Sequence, residues 1–187
     1  VRLWIFCWKN NLLIKLDKVK GYPVEVAFFL FHRDRINALQ NSNCLNHLGA
    51  SFPDIKKGFV LDDEDLNYTS IVLRLKYGTT SFLFTGDASS TIEKNILNKE
   101  IQSDVLKLGH HGSRYSTSKE FLKKVSPTYA IISVGKNNSY NHPHSEVFKR
   151  LNEQNVKIYR TDEQGTIIAE SNGTIINFTT IKTNTNG

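Results

Sequence analysis

Two stretches decide the reading of this chain: Phe82-Leu-Phe-Thr-Gly-Asp-Ala88 and Asp104-Val-Leu-Lys-Leu-Gly-His-His-Gly-Ser113. Each begins as a short apolar run, the pattern of a strand buried on both faces. Each then breaks at glycine and delivers a metal-ligating residue type, a carboxylate in one and two imidazoles in the other. In open α/β sheets ligands sit just beyond the carboxyl ends of the strands. Asp87, His110 and His111 therefore fall where chemistry is expected. Asn141-His-Pro-His144 occupies the same position after a third buried run, residues 128–134.

Working outward, residues 70–77 alternate as a strand. Gly78-Thr-Thr80 turns the chain, and residues 81–85 return as its hairpin partner. Ser90-Thr-Ile-Glu93 and Thr117-Ser-Lys-Glu120 have the spacing of capping boxes and predict helix starts. The first predicts a short helix to about residue 98; the second carries Phe121, Leu122 and Val125 on one face. Pro143 opens a third helix with Val147, Phe148 and Leu151. Residues 156–159, 165–169 and 174–178 read as strands, the last two joined through Asn172-Gly173, a hairpin signal. The order ββαβαβαβββ is an α/β domain with a mixed sheet. No internal repeat or coiled-coil heptad is present.

Residues 1–60 are less regular. Residues 1–8 and 24–31 suit buried strands. Between them lies a Lys-rich stretch ending in the turn signal Gly21-Tyr-Pro23. Residues 37–47 are polar and Asn-rich, and Asp62-Asp-Glu-Asp65 marks the change of character. Of the net charge of +6, nearly all sits in this part: residues 1–60 hold nine Lys/Arg against four Asp/Glu, and the rest holds 15 against 14. A basic segment fits a polyanion or a plainly solvated surface equally.

Composition excludes several classes. The chain has 187 residues, 39% hydrophobic and 22% charged, enough for a core and unlike a disordered tail. Its longest apolar run, residues 26–31, is too short to span a bilayer. Cys7 and Cys44 form neither a disulfide framework nor a zinc-finger spacing. There is no Met, and the first residue is Val1; this fits a chain that begins partway through a longer protein.

Each strand-end group also fits a plainer role. Thr85-Gly-Asp87 alone is an ordinary turn. The histidine pair alone is a hydrogen-bonded loop, and Asn141-His-Pro-His144 alone is a helix start. Together they place four of the six histidines and one aspartate on one edge of the predicted sheet. One carboxylate with several imidazoles is a transition-metal composition. A metal there could activate water, and a bridged pair could hold both oxygens of a phosphodiester in displacement.

Six motifs in one order carry a resemblance: Ser70-Ile-Val-Leu-Arg-Leu, the two opening stretches, Ile131-Ile-Ser-Val-Gly-Lys-Asn-Asn138, Asn141-His-Pro-His144 and Tyr159-Arg-Thr-Asp-Glu-Gln-Gly-Thr166. Over residues 67–180 the chain closely resembles the second half of the metallo-β-lactamase-fold domain of ComEC-type DNA-internalisation competence proteins and their free-standing hydrolase relatives. The resemblance implies an α/β fold, the metallo-β-lactamase-like αββα sandwich, with its second half (residues 67–187) well formed and its first half (residues 1–66) incomplete, diverged or truncated. It implies Asp87 as a metal-bridging carboxylate and His110 as the late metal ligand, with His111 facing substrate or supporting the metal. It further implies His142 at the mouth, meeting a phosphate or leaving oxygen, with Ser113 and Asn138 shaping that mouth. The implied cofactor is Zn or Mn. The implied partners are single- or double-stranded DNA and a membrane channel domain of a parent protein. The implied activity is a nuclease acting on the strand that is not imported.

One departure is expected to matter. The family's first half carries His-x-His-x-Asp-His, which supplies most metal ligands, and residues 1–66 do not contain it. The nearest approach, Phe31-His-Arg-Asp-Arg35, offers His32 and Asp34, while Arg33 and Arg35 would repel a cation; His47 is isolated. His32 and His47 thus read as structural. A hydrolase impaired in this chain and a non-catalytic remnant that binds DNA or serves an assembly are the two readings. A β-lactamase in the antibiotic sense has no support beyond the fold name. Free-standing, the chain would be soluble and cytoplasmic; as part of its parent, it would lie at the membrane.

Overall fold

The computed structural model describes the backbone of residues 2–7, 12–17 and 24–29, and residues 70 and 72–182 in full. His32, Asp34, Cys44, His47 and the Asp62–Asp65 acidic run lie outside the described residues. Strands β1 (Arg2–Cys7), β2 (Leu12–Asp17) and β3 (Val24–Phe29) precede β4 (Val72–Tyr77) and β5 (Thr80–Phe84). Helix α1 (Ser90–Asn95), β6 (Val105–Lys107), α2 (Lys119–Val125), β7 (Tyr129–Ile132), α3 (Ser145–Glu153) and β8 (Lys157–Arg160) follow. A short α4 (Thr161–Gln164), β9 (Thr166–Ser171) and β10 (Ile176–Ile181) complete the described chain.

The strands form two sheets, ordered β1-β2-β9-β10 and β3-β4-β5-β6-β7-β8. The early strands share both sheets with the late ones: β2 runs parallel to β9, and β3 pairs antiparallel with β4. The Lys-rich stretch is not simply a connection, because residues 12–17 form β2. Lys15 and Asp17 interrupt an otherwise apolar run, and the pairing with β9 settles it as a strand.

Alternation of side chains builds two cores. Val72, Leu83, Leu106, Ala130 and Ile132 face the helices, where Ile92, Phe121, Leu122, Val125, Val147 and Leu151 meet them. Their neighbours Leu75, Tyr77, Phe82, Val105, Ile131 and Tyr159 face the four-stranded sheet and pack with Ile167 and Ala169. A period of two on strands buried on both faces produces this division. The result is a helix layer, a six-stranded sheet and a four-stranded sheet in succession. Among the described residues no helix is long and apolar enough to cross a membrane.

The capping boxes act differently from their sequence pattern. Helix α1 starts after Ser89, with no side-chain cap. Helix α2 is capped by Ser118, whose Oγ accepts from Phe121 N at 3.3 Å. Glu93 does not turn back on its own helix. Its carboxylate accepts instead from the N–H groups of Thr117 and Ser118, 2.8 Å away for the latter. A box needs only local spacing, and here a non-local partner competes more strongly for the same acceptor.

Two turns join the sheets. Gly78, between β4 and β5, has φ +58°, and Thr79 N donates to Gly173 O in the β9–β10 turn at 2.7 Å. Beneath them the hydroxyls of Thr80 and Ser171 share a buried hydrogen bond of 2.7 Å. A Cβ on Gly78 would lie 2.3 Å from Gly173 O. Gly78→Ala combines left-handed strain with a backbone clash, and we expect it to cost about 2 kcal/mol or more. Urea denaturation checks this; a loss below roughly 0.5 kcal/mol, the range of neutral surface changes, would refute the pin.

Candidate active site at the strand ends

Strands β5, β6 and β7 lie side by side and parallel. Their carboxyl ends, Phe84, Lys107 and Ile132, therefore release three loops on one edge. Ala88 N donates to Thr85 O at 3.0 Å, closing the first turn, and Asp87 N donates to Ser70 Oγ at 3.0 Å. The Asp87 side chain is left about half exposed. His110 N donates to Gly86 O at 3.0 Å, tying the second loop to the first.

The second loop is a left-handed turn. His110, His111 and Gly112 have φ of +47°, +55° and +85°. Left-handed backbone costs a residue other than glycine roughly 1–2 kcal/mol, and such strain gathers at functional sites. At Gly112 there is no room for a side chain, since a Cβ would meet Pro143 Cβ at 2.6 Å. The third loop thus packs directly on the second, and His144 N donates to Gly112 O at 3.0 Å.

The left-handed turn separates the two histidines. His111 Nδ1 is 2.7 Å from Ser133 O, and a carbonyl only accepts, so Nδ1 holds the proton. That leaves the Nε2 lone pair of the neutral ring free, 4.0 Å from Asp87 Oδ1. His110 goes elsewhere, with its ring edge-on to His142 at 5.6 Å between centroids. The structure brings His111, not His110, to Asp87.

His142 sits in a row of rings, 4.8 Å from His144 and nearly parallel to Tyr140 at 5.8 Å. Asn138 holds it in place: Asn138 Nδ2 donates to His142 O at 2.7 Å, and His142 N donates to Asn138 Oδ1 at 3.0 Å. Burial lowers the His142 pKa, and the nearby His144, His110, His111 and Arg114 push it further down. The neutral ring is favoured. Asn138 thus ties the loop to His142, whereas Ser113 is buried, its Oγ accepting from Tyr115 N at 3.3 Å.

Of three residues that hold this edge, sequence reading gave Arg150 no role, took Glu93 for a local helix cap and counted His144 only among the edge histidines. His144 accepts from Arg114 N through Nδ1 at 3.2 Å and precedes α3. Arg150, one turn from the end of α3, donates to Ser116 O at 3.1 Å. Glu93 is 1% exposed and holds the turn after the histidine loop. Only spacing of four residues within one helix is visible in sequence, and these contacts span more than 20 residues.

The donor types at Asp87 and His111 suit a divalent transition metal. Their number does not: among the described residues no group of three or more His, Cys, Asp or Glu could hold a metal ion. A catalytic zinc takes three protein ligands and a water. The described residues therefore do not form a complete centre.

Residues 64–136 match the family model described as the metallo-beta-lactamase superfamily. That superfamily generally binds divalent metals. The chain belongs to the metallo-β-lactamase superfamily, and two packed sheets with helices outside and the strand-end edge agree with this class. Within it, the chain is similar to competence proteins. It is 36% identical to ComE operon protein 3 of Bacillus subtilis (strain 168) over 174 residues, 84% of the chain and 22% of that protein. It is 42% identical to Competence protein ComA of Neisseria gonorrhoeae over 106 residues, 55% of the chain and 15% of that protein. It is 38% identical to Recombination protein 2 of Haemophilus influenzae (strain ATCC 51907 / DSM 11121 / KW20 / Rd) over 101 residues, 54% of the chain and 13% of that protein. The domain is of the ComEC type, and it spans less than a quarter of the length of these relatives.

Glu93 yields a pH test. Burial raises its pKa above 4.5, outweighing the opposing pull of the Thr117 and Ser118 hydrogen bonds and of Arg150. The folded state therefore binds this proton more tightly than the unfolded one. The associated stability is full below pH 4.5 and falls as pH rises through the raised value. Urea melts across that window should show wild type losing more stability with rising pH than Glu93→Gln. Parallel curves would refute the assignment. Glu93→Ala, which strands two N–H groups, should cost about 2–3 kcal/mol.

Proposed function

We propose that this chain is a metal-dependent hydrolase domain acting on DNA phosphodiesters in DNA uptake, with activity impaired by its incomplete ligand set. The observation that carries the reading is the edge itself: three adjacent parallel strands deliver Asp87, His111 and His142 to one mouth. The printed names of the relatives, two competence proteins by name or operon and a recombination protein, supply the link to DNA.

In this reading Asp87 and His111 supply metal contacts. The Ser133 carbonyl fixes the His111 tautomer that leaves Nε2 free, as outer partners of metal-bound histidines do. His110 supports the His142 ring from the side. His142, kept neutral, faces a phosphate or leaving oxygen. Sequence supports the impairment, since residues 1–66 lack His-x-His-x-Asp-His.

Metal analysis after dialysis against Zn or Mn, with calorimetric titration, tests this. We expect well under one ion per chain and weak binding that Asp87→Ala and His111→Ala abolish but His110→Ala retains. Near-stoichiometric metal lost on Asp87→Ala would overturn the impairment. Weak binding indifferent to both substitutions would overturn the site. Cleavage of an oligonucleotide should be slow and should disappear in Asp87→Ala; cleavage that survives would be due to other residues.

A further inference from the structure

Among the described residues four large hydrophobic side chains are strongly exposed: Tyr115, Tyr140, Ile175 and Ile181. The two isoleucines belong to the β9–β10 hairpin. Both tyrosines belong to the histidine edge, at 72% and 74% exposure, one on the loop after His111 and the other on the loop before His142. Single exposed apolar residues need no explanation. Two aromatic rings exposed on adjacent loops at one mouth are a different case, because each is held on rigid backbone.

Tyr115 is anchored on both sides. Its carbonyl accepts from Ser90 N at 2.8 Å, and its N–H donates to Ser113 Oγ. Arg150 grips the flanking carbonyls of Arg114 and Ser116 at 3.4 and 3.1 Å. Tyr140 lies within the loop that Asn138 clamps to Gly135 O and His142 O. His142 backs one face of the Tyr140 ring at 5.8 Å and 23° between planes, which leaves the other face open. The backbone that carries both rings is thus anchored, and the Tyr140 ring is further backed by His142.

We propose that Tyr115 and Tyr140 form a stacking platform for the bases of single-stranded DNA at the mouth. Proposal and hydrolase reading share the DNA substrate, so the platform rests on that reading. Bases of a duplex are already stacked on one another and present only their edges. An unpaired strand offers free faces, and aromatic rings take these with little sequence preference. Charge favours an anionic backbone over a cationic peptide: Arg114 adjoins Tyr115, and Lys136 is exposed on the Tyr140 loop. Arg114 also pairs with Glu146 at 3.1 Å.

Fluorescence anisotropy of a labelled oligothymidylate, in EDTA and low salt so that nothing is cleaved, tests the platform. We expect Tyr115→Ala and Tyr140→Ala each to weaken binding about tenfold, the scale of one base–aromatic stack. Tyr→Phe at each position keeps the ring and should stay within about twofold of wild type. Duplex of the same length should bind all four variants and wild type equally. Wild type binding the oligonucleotide while both Ala variants match it would overturn the platform and leave the DNA reading standing. Phe variants as weak as Ala variants would overturn stacking in favour of a hydroxyl contact. Wild type binding no DNA would overturn platform and DNA reading together, whatever the metal analysis gives. Both residues are exposed, so the variants should melt with wild type; equal melting temperatures assign any loss to the rings.

Discussion

Phe82–Phe84 pairs in parallel with Val105–Lys107, and Val105–Lys107 with Tyr129–Ile131. Everything at the site depends on this ladder. Parallel neighbours release their loops on the same edge, and adjacent strands lie only about 5 Å apart. Three loops leaving so close together must share space, so each has to turn tightly. The Gly86–His110 backbone hydrogen bond, the left-handed histidines and the contact of Pro143 with Gly112 are consequences of that crowding. The two cores hold the ladder from either face, and neither would be continuous if one of the three strands slipped by a residue.

The helices contribute more than packing. The Glu93 carboxylate on α1 reaches the turn that ends the histidine loop, and the Arg150 guanidinium on α3 reaches the carbonyls of the same turn. One buried anion takes the N–H groups and one cation takes the C=O groups, so the segment 114–118 is held from both of its polar sides. Ser116 and Thr117 could not otherwise be buried without leaving backbone groups unpaired. The helices on either side of the histidine loop thus serve it: α1 follows the Asp87 loop, α3 follows the His142 loop, and both brace the turn between them.

Much of this was legible from residue order. The strand-end positions of Asp87, the histidine pair and Asn141-His-Pro-His144 followed from apolar runs broken by glycine. The alternation that splits the cores was visible in residues 70–77, and the hairpin at Asn172-Gly173 formed, though over the four residues 172–175 and with positive φ at Gly173 alone rather than as a two-residue turn. Element ends moved by one to three residues because cap geometry, not propensity, decides them. β2 was hidden because its period is broken by charges and, besides β1, it pairs with β9 more than 150 residues away. α4 was hidden because four residues carry no helical period. Glu93 was placed in the wrong motif because a capping box and a long-range carboxylate cap look identical along the chain.

The choice between His110 and His111 shows where residue order alone stops. Both follow the same strand, both are imidazoles, and adjacency to the turn favours neither on chemical grounds. A left-handed turn points successive side chains in different directions, so only one of the pair can approach Asp87. Ser133 O, 22 residues later and one residue past the end of β7, fixes the tautomer of His111. By accepting a hydrogen bond from Nδ1–H it leaves Nε2 as the lone-pair nitrogen of the neutral ring, on the side where Asp87 lies. Without that carbonyl the proton of the neutral ring could reside on either nitrogen, and the Nε2–H tautomer would present a proton rather than a lone pair. The same ladder that brings the loops together therefore also sets the tautomer of the ring: β7 must lie beside β6 for the carbonyl just past its end to reach the histidine loop at all.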